Sequence, residues 1–476
     1  MTKRKIAAAL VVAALVSLGA AGTAFAQSDN NALIDVLVKK KILTKKEADA
    51  VRADMVKEDA QSEQNLISLS KGVKELRLYG DLRFREQYDN QHNISNSAAN
   101  HQTRFRFRLR LNADITLQDG WFGGLQLQTN NAPDSANQTF GPAYQNYNIY
   151  ISRAFAGWRN DWFTGVVGKQ ANPFYTPDLV WDPDINPEGL TERISIDKLL
   201  SGSTLEQAAG LAKDGKTAAA APARLPWSLS LVAGQFLYAD NKESNLAAAG
   251  NTDVWQFTQQ LVGTYDFSPK IRLTVAPGYS TYNEGLVQLS QASGTNSQGF
   301  YNNTNPALGA VQKISVVRDL SIITVPGDLA FDLGGIRTAL QWDFAYNTEA
   351  RSRFTQVLSI PEAQRRGKDA RSWMAGVSFG QNLRAGDWSL FANYRQVGIA
   401  SIDPNLNDSD FALSYLNVEG VKIGVAYNIT NSAIGQLTWF NACSMGGLRG
   451  GQATTNFKLA NASSVQVVQV DFNVKF

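Results

Sequence analysis

The stretch Arg104-Phe105-Arg106-Phe107-Arg108-Leu109-Arg110-Leu111 decides the fold. A helix would scatter its four arginines around the axis. A strand puts all four on one face and Phe105, Phe107, Leu109 and Leu111 on the other. The same period of two recurs on both sides of it. Ile336, Leu340, Trp342, Phe344 and Tyr346 alternate with Arg337, Gln341, Asp343 and Asn347. Val421, Ile423, Val425 and Tyr427 alternate with Lys422, Gly424, Ala426 and Asn428. At the far end Val470, Phe472, Val474 and Phe476 stand against Asp471, Asn473 and Lys475. Each such strand has one apolar and one polar face.

The connections come in two lengths. Short turns read at Gln118-Asp119-Gly120, Arg159-Asn160-Asp161, Ser268-Pro269-Lys270, Asp332 to Gly335, Arg384 to Asp387 and Thr430-Asn431-Ser432. Long polar segments such as Asn283 to Gln312 and Thr348 to Asp369 alternate with them. Short turns on one rim and long loops on the other are the pattern of a transmembrane β-barrel. Lipid offers backbone amides no partner, so strands cross it only as a closed barrel. Residues 75–476 accommodate about sixteen strands at roughly 25 residues per strand and connection, against about 9–11 needed to cross the bilayer. Trp121, Trp162, Trp227, Trp342, Trp373 and Trp388 stand mostly near strand ends, where an aromatic girdle belongs. A secreted β-sandwich would also solvate the arginine faces, but it needs no contrast of turn and loop length. The fold class expected is an all-β membrane protein, a closed antiparallel transmembrane β-barrel preceded by a short helical segment.

Composition agrees. Charged residues are 18% of the 476, low for a soluble protein, where about a quarter is usual. The single Cys443 excludes an intrachain disulfide and cysteine-pair zinc sites. Lys3, Arg4 and Lys5, the apolar run Ile6 to Leu18 and Ala24-Phe25-Ala26 read as a signal peptide over residues 1–26. Without its three lysines and arginines, 42 of the 45 basic residues remain against 42 acidic ones, which argues against nucleic acid as a partner. Residues 27–74 read as a periplasmic helical segment and linker. Leu33, Ile34, Leu37 and Val38 have helical spacing, and Thr44 with Glu47 resembles a capping box before a stripe of Ala48, Val51 and Met55. The alanine-rich stretch from Gly202 to Pro222 reads as an insertion.

Two features carry chemistry. Arg104, Arg106, Arg108 and Arg110 form a ladder, extended by Arg77, Arg83 and Arg85 on the preceding strand. Charges facing lipid at the midplane cost about 2–4 kcal/mol each, so this face belongs to the lumen, with Asp81 and Asp114 as near partners. The loop Ala171 to Leu190 carries Asp178, Asp182, Asp184 and Glu188, stiffened by Pro173, Pro177, Pro183 and Pro187. Folded inward as the third long loop, it would set carboxylates against arginines and focus a transverse field across a constriction. Asp182, Asp184, Asn186 and Glu188 also stand at alternate positions, like the start of a calcium loop. Pro187 and Arg193 stand where that loop needs Gly and Glu, so no metal is expected. No cofactor is implied.

A barrel enzyme would need a nucleophile activated by a base, and both histidines, His92 and His101, read as part of the first long loop without a G-x-S-x-G elbow beside them. A plugged transporter would need about 22 strands and a large plug domain, which residues 27–74 cannot supply. A substrate-specific channel stays open as an alternative, although Tyr79, Phe391 and Phe440 are too scattered for a sugar track.

On the stretches Ala32 to Asp35, Ile42 to Ala48, Arg104 to Leu111, Gly168 to Phe174 and Asp182 to Leu190, the chain resembles the Putative porin family of Gram-negative outer membranes. Ala32-Leu33-Ile34-Asp35 and Ile42-Leu43-Thr44-Lys45-Lys46-Glu47-Ala48 look like its amino-terminal signature. Similar too are the arginine-rich second strand, Gly168 to Phe174, and the Asp182 to Leu190 loop with Asn186-Pro187-Glu188-Gly189-Leu190. A terminal Phe476 is similar to the signal that outer-membrane assembly machinery reads. The resemblance implies a passive channel for small hydrophilic solutes and ions, seated among outer-membrane lipids and, as in general porins, a homotrimer. The ladder makes weak anion selectivity the expectation.

Overall fold

The computed structural model describes residues 70, 72–93, 99–201, 225–240, 253–283, 318–358, 360–445 and 462–476. The leader, the helical segment, the alanine-rich stretch and most of the 283–312 loop lie outside the described residues. The chain divides into Met1–Lys71 and Gly72–Phe476, and the second unit is a barrel.

Nineteen strand segments form one sheet. In chain order they are β1 (Val73–Asn93), β2 (Ala99–Leu117), β3 (Trp121–Thr129), β4 (Gln138–Thr139), β5 (Ile149–Arg159), β6 (Phe163–Lys169) and β7 (Glu188–Ser195). Then come β8 (Trp227–Ala239), β9 (Val254–Ser268), β10 (Ile271–Val275), β11 (Gly278–Tyr282), β12 (Ser321–Thr324) and β13 (Gly327–Leu333). The last are β14 (Ile336–Asn347), β15 (Arg371–Gly380), β16 (Trp388–Val397), β17 (Val418–Asn428), β18 (Ala433–Ser444) and β19 (Ala462–Lys475). Pairing is antiparallel throughout, and β19 returns to β1, so the sheet has no free edge. β10 with β11 and β12 with β13 are single staves interrupted by Pro277 and Pro326, which have no N–H for the ladder. Their carbonyls still accept, from Leu261 and Ala276, both at 2.9 Å. The two-residue β4 only adds to β2. Nineteen segments less these three leave sixteen staves.

Local chemistry makes the turns. Asp119 and Gly120 both take positive φ at the first one. The Asn160 side chain accepts the N–H groups of Trp162 and Phe163. At the hairpin of β13 and β14, Gly334 and Gly335 have φ of 61° and 88°, where a side chain would be strained. The seam closes on the last residue: Gly80 and Phe476 exchange both backbone bonds, at 2.8 and 3.1 Å. A Cβ at position 80 would come within 2.8 Å of the Phe476 ring, so the close approach needs glycine.

Period two sorts the faces. Leu78, Phe84, Phe105, Ile115, Leu340, Phe344, Val425, Leu437 and Val470 are exposed on the outside. Arg85, Gln87, Arg106, Arg108, Gln126 and Asp471 are buried on the inside. Such an apolar belt is what hydrocarbon requires of a barrel's exterior. Trp121, Trp162 and Trp388 stand exposed at the short-turn rim, whereas Trp342 lies in the middle of β14, over Gly327. The barrel also has an apolar core inside, at the long-loop end. Leu179, Phe354, Ile399, Ile402, Phe411 and Leu416 from the loops pack on inward Val397, Val418, Phe440, Val465 and Val467 of the wall. That core pins the loops within the lumen.

Candidate pore constriction

The ladder rises on the inner wall where β1 and β2 pair. Arg83 faces Arg108, and Arg85 faces Arg106. Three acids of the wall neutralise much of it. Arg85 grips Asp471 with a two-pronged bond, Nε to Oδ1 at 2.7 Å and Nη2 to Oδ2 at 2.9 Å. Arg104 donates to Asp89 at 2.5 Å. Asp81 is shared, taking Arg108 at 2.7 Å and Arg110 at 2.6 Å. Arg83 and Arg106 alone among the ladder residues 83–110 bond to no carboxylate among the described residues; Asn137 takes both, through Oδ1 and its backbone carbonyl.

The loop between β6 and β7 folds inward, and its acids go to different places. Asp184 meets Arg110 at 3.5 Å. Asp178 crosses to the opposite wall, where Arg395 of β16 donates to it at 2.8 Å and Lys422 of β17 also binds it. Burial alone would raise the Asp178 carboxyl, but Arg395 and Lys422 outweigh it and hold it below the ordinary range. Asp182 instead clasps a second inward loop, residues 398–417. It accepts the Ser409 N–H at 2.9 Å, and its own N–H donates to the Leu406 carbonyl at 2.5 Å. Burial, then Asp184 and Asp408, push the Asp182 carboxyl well up. Glu188 does not join this group. It is the first residue of β7, pairs with Lys169 of β6 at 2.5 Å, and shares its face with exposed Val167 and Leu190. The chain has already become strand there, so the loop ends at Pro187, three residues before the expected Leu190. Nor do the alternate positions converge as in a calcium loop, since Asn186 is held by Arg153 at 2.8 Å.

Sequence reasoning missed half of this arrangement. Asp408 of the second loop bonds Arg395 at 3.0 Å and Lys422 at 3.4 Å, and Asp410 meets Arg85 at 3.4 Å. Burial pushes the Asp408 carboxyl up to about 6 despite Lys422 and Arg395. Burial would raise Asp410 as well, yet Arg85 and Arg83 bring it down to about 2. A third segment, residues 132–137, lies over the ladder, and Ser409 Oγ donates to the Asp134 carbonyl at 3.1 Å to join it to the second loop.

A family model described as Putative porin matches residues 85–313 and 323–476. The chain belongs to that family. No curated protein sequence matches it. Among solved structures it is similar to OmpF of Salmonella typhi, at 10% identity and a TM-score of 0.45, over 86% of this chain and 100% of that one. It is similar also to a triple mutant of the Rhodopseudomonas blastica porin, at 9% and 0.39 over 84% and 100%. A loop-deletion mutant of OmpT, an outer-membrane protein of Vibrio cholerae, gives 9% and 0.40 over 84% and 99%. Family membership rests on the sequence match, and the barrel on the pairing described above. In this member of the porin family three inward segments, rather than the one expected from sequence, surround the ladder. Asp81 was expected as a partner of the ladder, and Asp471 was open to discovery because it stands on the same face as the arginines at period two. Asp408 and Asp410 lie in a loop without period and had no such signal.

Proposed function

We propose that the chain spans the outer membrane as a water-filled channel for passive diffusion of small hydrophilic solutes and ions, with a modest preference for anions. The observation that carries this reading is the balance of charge at the throat. Two guanidiniums, Arg83 and Arg106, bond to no carboxylate among the described residues, while two carboxyls, Asp182 and Asp408, are held toward their neutral forms. Guanidinium keeps its charge in proteins, so the excess is positive. Salt screens the field beyond about 8–10 Å at ordinary ionic strength, so the preference is expected to be clear in dilute salt and to fade in concentrated salt. The experiment is a reversal potential in a potassium chloride gradient across a planar bilayer. The parent should favour chloride, and Arg106→Glu with Arg108→Glu should move toward cations. A parent that favours potassium, or a double variant that does not move, counts against the ladder as the selective element.

A substrate-specific channel is the second reading, favoured by how little of the ladder is open: Arg85, Arg106 and Arg108 are each less than a tenth exposed. Liposome swelling with sugars of increasing size separates the two, since a general channel admits them in order of size alone. A homotrimer belongs to the same proposal, supported by a polar sector on the barrel's exterior. There Lys169 pairs with Glu188 and Gln235 donates to Glu192, between the small exposed residues Ala154 and Ala156 and the apolar belt. Outward charges of this kind are costly against lipid and ordinary against protein.

A further inference from the structure

Resting on the reading of the lumen as an aqueous anion-preferring channel, we infer that Arg83, Arg106 and Asn137 form a binding site for an oxyanion, a carboxylate or phosphoryl group, on the pore wall. The register makes a square of arginines: 83 opposite 108 and 85 opposite 106. Arg83 and Arg106 are its diagonal, and diagonal neighbours on an antiparallel pair sit about 7–8 Å apart at the backbone, well within reach of two long side chains. The other two corners are neutralised, Arg85 by Asp471 and Asp410, and Arg108 by Asp81. The diagonal is not. Arg83 donates through Nη2 to Asn137 Oδ1 at 2.5 Å. Arg106 donates to Gln87 Oε1 at 3.1 Å, to Ser135 Oγ at 3.4 Å and to the Asn137 carbonyl at 3.2 Å. All these acceptors are uncharged.

What remains is one buried N–H on each guanidinium, the Nε of Arg83 and the Nε of Arg106, without an acceptor among the described residues. The acids nearest to them are engaged elsewhere: Asp471 and Asp410 with Arg85, Asp89 with Arg104, and Asp184 with Arg110. Those acids act on Arg83 and Arg106 only from beyond ion-pair distance, and a buried donor without an acceptor is unfavourable. One ligand relieves both. An anion with two oxygens accepts one Nε–H from each arginine and brings a negative charge into direct contact with both. Guanidinium presents its donors in a plane that matches carboxylate and phosphoryl oxygens, whereas a spherical chloride gains the charge but not the paired directions. Asn137 holds the two guanidiniums toward one another, and its own amide is fixed by a bond to Ser135 Oγ at 3.2 Å.

The test uses the full chain in planar bilayers in potassium chloride, with inorganic phosphate or succinate added. Either oxyanion should reduce the chloride current along a saturating curve. Arg83→Lys with Arg106→Lys keeps the charge but removes the planar donor pair, and should raise the half-blocking concentration about tenfold. Arg272→Gln, which alters an exposed pair with Asp266 at the other rim, should leave that concentration where it is. Heat-modifiable migration checks that each variant folds. If the double variant does not, Asn137→Asp serves instead: a carboxylate set against Arg83, beside Arg106 on the Asn137 carbonyl, supplies the negative charge in the ligand's place and should raise the half-blocking concentration at least about tenfold. A current that falls without saturating overturns the site, as does a block that neither variant moves; the two arginines then only anchor residues 132–137. Failure of the channel reading looks different. A parent that favours cations, or gives no conductance steps, shows it before any phosphate is added and overturns the site with it.

Discussion

Asp408 sits where a charge is costly, buried between two cations that Asp178 already shares. Its carboxyl is raised to about 6 by burial, and Asp182, which holds the same loop, is raised by burial, Asp184 and Asp408. The sign of the consequence follows. With these two loops folded inward, the carboxyls hold more protons than they would when released to water, where an aspartate titrates near ~3.9. The inward arrangement therefore strengthens as pH falls from 7 through 6 toward 4. Asp178 and Asp410 act oppositely, but their contribution is full above the ordinary carboxylate value and is lost as pH falls from there to about 2, outside this window. Between pH 7 and pH 5 a folded-state value near 6 amounts to about a tenfold gain in protection of the clasp. Hydrogen exchange of the amides of residues 403–410, corrected for intrinsic rates, should slow by about that factor on acidification. Asp408→Asn should flatten most of the profile. Faster exchange at pH 5 would reverse the assigned direction.

At the scale of elements, the barrel was legible because its signals are local. The arginine alternation from 104 to 110 forces a strand, and Asp119-Gly120, Asn160 and Gly334-Gly335 each make a turn with their own atoms. What joins two loops was not legible. The bond from Ser409 to Asp182 spans 227 residues, and no period marks either partner. Glu188 shows the opposite failure, where proline spacing suggested loop and the ladder with Lys169 made strand. Inward Val465 and Val467 depart from a polar lumen because loops, rather than water, pack on them. The closing seam yields a prediction at this scale. Deleting Phe476 removes two backbone bonds to Gly80, each worth about 0.5–1.5 kcal/mol, from the place where the ring of strands closes. The fraction of protein that migrates as a folded, heat-modifiable band in outer membranes should fall. Phe476→Ala keeps the backbone pair and should lose less. Equal amounts of folded protein in the deletion and the parent would mean that the seam does not depend on the last residue.

At the scale of the molecule, the exterior is not uniform. Around β10 to β19 it presents Leu333, Leu340, Phe344, Leu390, Ile423, Leu437 and Val470, a surface made for hydrocarbon. Around β5 to β8 the exposed Ile151, Val167, Leu190 and Leu231 are interrupted by Ala154, Ala156 and Gly165 and by the pairs Lys169–Glu188 and Gln235–Glu192. Small residues let backbones approach closely, and paired charges are tolerated where a protein surface can satisfy what lipid cannot. If copies of the chain meet on this sector, a large side chain at its centre should part them without harming the barrel. Gly165 is suited to the experiment because a Cβ there meets only the edge of the Phe163 ring, at 3.2 Å. Gly165→Trp should shift most of the unheated protein from the oligomer band to the monomer band on a mild gel while heat-modifiability persists. Leu340→Trp, on the apolar sector, should leave the oligomer intact. Loss of oligomer in both variants would point to general damage. An oligomer that survives Gly165→Trp would place the contact elsewhere, and Lys169, Glu188 and Glu192 would then have to meet lipid, where their pairing alone would have to offset the cost of about 2–4 kcal/mol for a cation near the midplane.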